Sequence, residues 1–560
     1  MRKSVNNIRD CLDASAVSAG ISNQYRLHVM STKLLLLGDE AIARGALDAG
    51  ISGVYAYPGT PSTEITEYIQ NSVEASAGKI HCKWASNEKT AMEAALGMSY
   101  VGKRSLVCMK HVGMNVAADA FVNSAMSGVN GGLVVVAADD PSMHSSQNEQ
   151  DSRFYGKFAM VPVLEPSTQQ ELYDMTRYAF DLSEKFSIPV LLRIVTRIAH
   201  SRAVVETVER RAENDIHYPE DPGRWVLMPS VARRRNDALI KMQADFAAES
   251  ESSGNNILTS GVDRRFGVIA CGVAYNYLME HIVELPKCPV LKVSQYPLPK
   301  KLISDLASQC DALVVLEDGQ PFVEEQLRGV FDGGIKIIGR LSGEIPRTGE
   351  LDPDNILPAL GLSSAAERQP SEYVVPRPPA LCVGCGHRDL YTALNEVLSE
   401  YENAKVFSDI GCYTLGFLSP FHAIHSVIDM GASVTMAKGA SDAGQYPSVA
   451  VIGDSTFTHS GMTGLLDAVN CNADITVIIS DNLTTGMTGG QDSAGTGRYE
   501  QICAGIGVAP EHIRVVVPLP KNMEEMKMII REEIDYHGVS VIIPRRECIQ
   551  TARRKAASKR

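Results

Sequence analysis

No stretch of this sequence stays apolar for the roughly 20 residues that a bilayer-spanning helix needs. The opening MRKSVNNIRDCLDASAVSAG also lacks the continuous apolar core of a secretory signal. Membrane insertion and export are thereby set aside, and a cytoplasmic location is expected. Basic residues are in short supply: 53 Lys and Arg face 66 Asp and Glu, a formal net charge of −13. Such a chain has no broad attraction for nucleic acid or anionic lipid, both of which reward a basic surface. A disulfide framework is unexpected in a reducing cytosol. The 12 cysteines therefore read as ligands where they cluster and as small buried hydrophobes where they scatter. Cys108 in SLVCMK and Cys271 in VIACG stand inside strand-like apolar runs and belong to the core on this reading.

What is present is organisation. The 560 residues suffice for about three or four domains, and short β-rich runs alternate with amphipathic stretches, the pattern of parallel sheets covered by helices. After an N-terminal extension (1–32), a first α/β block spans 33–203, with strands expected in GVYAYPGTPS, RSLVCMKHVGMN, GGLVVVAADDPS and SIPVLLRIV. A charged interval, 204–263, has few strand-like runs and reads as a linker, partly helical near its middle. A second block covers 264–365 without an obvious catalytic cluster, a third covers 376–548 with most of the chemistry, and a basic tail, 549–560, reads as solvated. Ligands of open α/β sheets gather beyond the carboxyl ends of the strands.

In the third block, Gly453-Asp454-Ser455 follows one apolar run and Asn482 follows another, about thirty residues further on. A diphosphate needs a hard divalent ion, which takes oxygen ligands. Asp454 and Asn482 can supply two on one rim, with a carbonyl near Thr484 as a third. Gly453 lets the backbone approach the phosphates, and a helix expected to begin near Ser460 offers its amides. The arrangement resembles the thiamine-diphosphate signature. Alternatively Asp454 caps a helix and Asp481-Asn482 forms a turn. The loop TTGMTGGQDSAGTG, with five glycines, suits a backbone folded over an anion. Cys382 and Cys385 in ALCVGCGHR, with Cys412 in DIGCYTLG, suggest a soft-metal site, for which zinc and an iron-sulfur cluster compete.

Thiamine chemistry further requires a carboxylic acid beside the aminopyrimidine ring. Glu88, in NEKTAMEAALG, precedes a small-residue helix; by itself such a glutamate is only a favourable charge at the helix dipole. The segments YPGTPSTEI, NEKTAMEAALG, KHVGMNVAAD, DDPSMHSSQNEQDSR, CVGCGHR, DIGCYTLG, GDSTF and DNLTTGMTGGQ together resemble the large subunits of indolepyruvate:ferredoxin oxidoreductases, from about Leu34 to Cys548. The resemblance implies a multidomain α/β thiamine-diphosphate-binding fold with a transketolase C-terminal-like domain at 264–365. It implies Glu88 as the activating acid, and Thr60, His111 and Asn115 near the cofactor ring and substrate. Thr60 reads equally as a helix cap and His111 as a buried structural histidine. It implies Mg²⁺ at Asp454, Asn482 and Thr484, with Gly453 and Ser455 beside the cofactor. A [4Fe-4S] cluster is implied on Cys382, Cys385, Cys412 and a distant fourth cysteine, for which Cys548 is chosen over Cys471 and Cys503.

The implied reaction is oxidative decarboxylation of an aryl-type 2-oxoacid to its coenzyme A thioester, with a smaller β subunit as partner. Typical relatives continue into a ferredoxin-like domain with repeated C-x-x-C-x-x-C-x-x-x-C runs, and this sequence has none after Cys548. Electrons are therefore expected to pass from the cluster directly to ferredoxin or through a separate electron-transfer subunit. A non-oxidative thiamine decarboxylase or carboligase, and a scaffold subunit that keeps the fold without turnover, are the rival readings.

Overall fold

The computed structural model describes residues 32–283, 287–328, 334–362, 371, 373–375 and 379–558. The N-terminal extension up to residue 31 and the first three residues of the expected third block, 376–378, lie outside them. Strands β1 (Thr32–Leu37), β2 (Gly53–Ala56), β3 (His81–Trp84), β4 (Ser105–Lys110), β5 (Leu133–Asp139), β6 (Val163–Leu164), β7 (Val190–Val195) and β8 (Arg202–Thr207) come first. β1 and β8 form an antiparallel ribbon. The others run parallel, and every residue of β5 and β7 is buried, as apolar runs must be when helices cover both faces of a sheet. Cys108 in β4 is in this core, and so is Cys271 in the next block.

The next strands are β9 (Ile257–Thr259), β10 (Gly267–Cys271), β11 (Val290–Val293), β12 (Gln295–Tyr296), β13 (Ala312–Leu316) and β14 (Lys336–Ile338). Five of them form a sheet in the order β14-β13-β10-β11-β9. β12 leaves them and pairs antiparallel with β6, so the first sheet has seven strands in the order β12-β6-β7-β5-β4-β2-β3. The interval 204–263 differs from a loose linker. It holds a 24-residue helix, Pro229–Ser252, whose Leu239 and Phe246 are buried in the core shared by both sheets. The segment reads as polar because only one narrow stripe of that long helix is covered.

A fully buried ionic network also joins the two sheets. Arg193 Nε lies 2.6 Å from Asp139 Oδ2, and Arg153 Nη1 lies 2.9 Å from Glu317 Oε2. Asp151 and Glu165 complete it, and Tyr296 donates to Glu165 Oε2 at 2.6 Å. Charges this far from water persist only when paired.

The third sheet is wholly parallel: β15 (Lys405–Ser408), β16 (Ser426–Val427), β17 (Ser448–Gly453), β18 (Ile475–Ser480), β19 (Ile513–Val516) and β20 (Val539–Pro544), ordered β16-β15-β17-β18-β20-β19. The basic tail folds as a helix, Ile549–Ser558, with no buried residue. Among the described residues no helix is long and apolar enough to cross a membrane.

Candidate active site

The carboxyl ends of strands in the first and third sheets meet around a cavity of about 350 Å³. The turn Tyr57–Thr60 after β2, Glu88, and Lys110 at the end of β4 line one side. Residues after β15, β17 and β18 line the other, among them Cys412, Asp454, Asn482 and Thr484. Tyr57 and Ser455 hydroxyls bridge the two halves at 2.8 Å, and Thr485 donates to Ser455 at 3.0 Å.

Asp454 is 2% exposed. Burial, followed by the charge of Asp481, pushes its carboxyl up to about 8, while backbone amides pull it back. Those amides include Ser455, 2.7 Å from Oδ1, and Thr484, 3.2 Å from Oδ2. The Thr484 amide also donates to Asn482 Oδ1 at 3.2 Å, so the three residues converge on one point. Gly453 is needed there, because a Cβ would stand 2.5 Å from the Tyr413 ring. The helix was expected to begin near Ser460. It begins instead at Asp454, continues through a π turn at Phe457–Gly461, and runs on as Met462–Asn470. β17 passes straight into it with Gly453 extended as the cap, which puts the free amides beside Asp454 itself.

Glu88 is the first residue of the helix Glu88–Tyr100, capped by Asn87, whose side chain accepts from the Thr90 amide. Its carboxyl is 5% exposed, and Oε2 lies 2.7 Å from His459 Nε2 of the third block. Asn87 Nδ2 donates to the His459 carbonyl at 2.9 Å, a second tie across the same seam. Gly113 makes room for the carboxyl: a Cβ would meet Glu88 Cγ at 2.7 Å. Thr60 lines the cavity, but His111 and Asn115 do not. A helix starts at His111, so residues 111 and 115 share a face. That face is turned to residues 148–155: the buried His111 ring bonds the Asn148 carbonyl at 3.2 Å, and Asn115 accepts from Tyr155. Val112 and Lys110 face the cavity instead. Lys110, the cation in that lining, donates to the Ser145 carbonyl at 2.7 Å, and burial lowers its pKa.

Cys382, Cys385, Cys412 and Cys548 all line a second cavity, of about 100 Å³. The first two precede the helix Gly386–Leu398, Cys412 follows β15, and the Cys548 amide is tied to the Asn482 carbonyl at 3.0 Å. Cys471 and Cys503 line neither cavity. Burial, then the neighbouring thiols, pushes Cys412 up to about 12, and burial likewise raises Cys385. As thiolates this group needs a cation. Among the described residues, the group of three ligand atoms within 4.8 Å of one another is Asp39, Glu64 and His200. His387 Nδ1 lies 3.2 Å from Cys385 Sγ, and burial lowers this histidine to about 4, so it is neutral. Cys412, Asn482 and Gly486 line both cavities.

Sequence reasoning missed Tyr57, Lys110, His387 and His459. Tyr57 and His387 sat inside quoted motifs, YPGTPS and CVGCGHR, and Lys110 next to His111. Nothing in the sequence announces that His459 meets a glutamate 371 residues away.

The family described as pyruvate flavodoxin/ferredoxin oxidoreductase, thiamine diphosphate-binding, matches residues 44–251. The thiamine pyrophosphate enzyme C-terminal domain matches residues 409–543. Over the whole chain, the indolepyruvate oxidoreductase subunit IorA of Archaeoglobus fulgidus is 41% identical, covering 92% of this chain and 86% of its own. The IorA subunits of Methanothermobacter thermautotrophicus and Pyrococcus abyssi are 37% and 36% identical, again over 92% of this chain and 87% and 86% of theirs. With such identity over nearly the full length, the chain belongs to the family of indolepyruvate oxidoreductase IorA subunits, thiamine-diphosphate-dependent 2-oxoacid oxidoreductases.

Proposed function

We propose that the chain decarboxylates an aryl-type 2-oxoacid, indolepyruvate or a close analogue, oxidatively to the coenzyme A thioester. Electrons leave through a [4Fe-4S] cluster to ferredoxin or a separate electron-transfer subunit, and a smaller β subunit completes the enzyme. The observation that carries this reading is the shared wall: Cys412, Asn482 and Gly486 border the cofactor cavity and the thiol pocket at once.

The residues fit the groups the reading needs. Asp454 is a buried carboxylate held by amides rather than by a cation, which suits a metal ligand; Asn482 and the Thr484 carbonyl are the other oxygens for Mg²⁺. Four thiols lining one pocket, with Cys385 and Cys412 held as thiols by burial, suit an iron-sulfur cluster. Thiamine diphosphate, when bound, supplies the carbanion centre and electron sink for decarboxylation. Glu88 then holds the proton at the aminopyrimidine edge, with His459 fixing one carboxyl oxygen so that the other is free. Lys110 offers its ammonium to the substrate carboxylate, and the hydroxyls of Tyr57 and Ser455 fix the spacing of the two cavity walls.

The test is anaerobic purification with assays of iron, sulfide and thiamine diphosphate, followed by 2-oxoacid- and coenzyme A-dependent reduction of a viologen dye. About four irons per chain and dye reduction are expected. Zinc in the thiol pocket would overturn the redox reading, and full keto-acid turnover by iron-free protein would make the enzyme a non-oxidative decarboxylase.

A further inference from the structure

Outside the two cavities, one group of side chains has no role in the reading above. Asp39 is the second residue of the helix Gly38–Asp48 after β1, Glu64 is in the first turn of the helix Thr63–Gln70, and His200 follows the short helix after β7. One ligand atom from each lies within 4.8 Å of the other two. Asp39 is 0% exposed; no N–H or O–H group of another residue type donates to either of its carboxylate oxygens or to Glu64 Oε2, and the carboxyl it faces is that of Glu64. His200 Nε2 stands 3.7 Å from Glu64 Oε1, and both side chains remain 37% exposed, which leaves the group a mouth to solvent.

We propose that Asp39, Glu64 and His200 form a divalent-cation site distinct from the diphosphate and thiol sites. A fully buried carboxylate facing a second, partly exposed one calls for a proton or a cation between them. The imidazole at their open side selects a cation: mixed nitrogen and carboxylate ligands suit Mn²⁺, Fe²⁺ or Zn²⁺, whereas Mg²⁺ and Ca²⁺ call for oxygen alone. Three protein ligands leave the remaining positions to water on the exposed side. The site lies beside the turn Tyr57–Thr60, since the helix carrying Glu64 begins directly after it. A bound ion pins that helix to those of Asp39 and His200, and so fixes one wall of the cofactor cavity.

The test is Mn²⁺ titration of the thiamine-diphosphate-loaded full chain, with bound ion counted by electron paramagnetic resonance. Wild type should take up two ions per chain. His200→Ala and the isosteric Asp39→Asn should each take up one, while Asp454→Ala should lose the other, so failure at the diphosphate site is told apart from failure here. His200 is 37% exposed, so His200→Ala should keep the fold even if Asp39→Asn does not. Equal Mn²⁺ uptake by wild type and His200→Ala would overturn the site. So would a single ion in wild type together with an Asp39→Asn protein at least as heat-stable, since Asp39 and Glu64 would then merely share a proton.

Discussion

Cofactor loading should release a proton, and the proton should come from Asp454. Burial beside Asp481 raises this carboxyl to about 8, so most molecules without the metal carry the proton at pH 7. A metal ligand must be ionised, so each metal-loading event expels that proton. The apparent affinity for Mg²⁺ with thiamine diphosphate should therefore climb nearly tenfold per pH unit below pH 8 and level off above it. The unloaded fold shows the opposite slope. The folded carboxyl has a pKa above its unfolded value of about 3.9, so the folded state holds the extra proton and stability falls as pH rises from about 4, until the pH passes about 8. Asp409, raised to about 7 by burial, adds to the same slope over a narrower window. Calorimetric titration at pH 6.5, 7.0 and 8.5 in buffers of different ionisation enthalpy, with the ligand's own ionisation subtracted, counts the protons. Release of up to about one proton per site at pH 7, falling by pH 8.5, is expected. Affinity that does not change between pH 6 and 8, or no proton release at pH 7, would refute the reasoning.

Four further outcomes are expected. Glu88→Gln should retain cofactor but lose roughly 10²- to 10⁴-fold in kcat, the worth of a positioned proton donor; activity within a few-fold of wild type would sink the assignment. Cys548→Ser should lose or destabilise the cluster and stop dye reduction while still binding thiamine diphosphate, and a fully retained cluster would exclude Cys548 as a ligand. Lys110→Met should raise KM for the 2-oxoacid far more than it lowers kcat, as checked by steady-state kinetics at saturating cofactor. Arg153→Leu leaves Glu317 without its cation and Asp151 with Arg193 alone, and denaturant unfolding should show a loss of about 3–5 kcal/mol.

Much of this architecture was legible because parallel strands covered on both faces must be apolar along their length. LVVVAAD, SVAVIG and ITVIIS could hardly lie elsewhere. The motifs that follow such runs fell at the sheet rims for the same reason. The failures have a common cause, which is that facing directions depend on where a helix starts. His111 and Asn115 turned away from the cavity because the helix begins at His111 itself. The amides beside Asp454 were misplaced because β17 meets its helix without a turn. The helical middle of the 204–263 interval was legible, but the packing of Pro229–Ser252 into the core was not, because its buried stripe is thin. The pairing of Glu88 with His459 depends on the docking of two sheets, and no local pattern encodes that.

β12 and the buried arginines also bear on how the chain is made. β6 is an edge of the first sheet until Gln295 and Tyr296 arrive to pair with it. Arg193 waits for the Asp318 carbonyl, 125 residues downstream. At synthesis rates of roughly 5–20 residues per second this is a delay of roughly 6–25 s. During that interval the emerging chain carries an open strand edge and guanidinium groups still short of their final partners, a surface on which nascent chains associate wrongly. The amino-terminal half is thus not finished when its own last residue leaves the ribosome; it is finished by the block that follows.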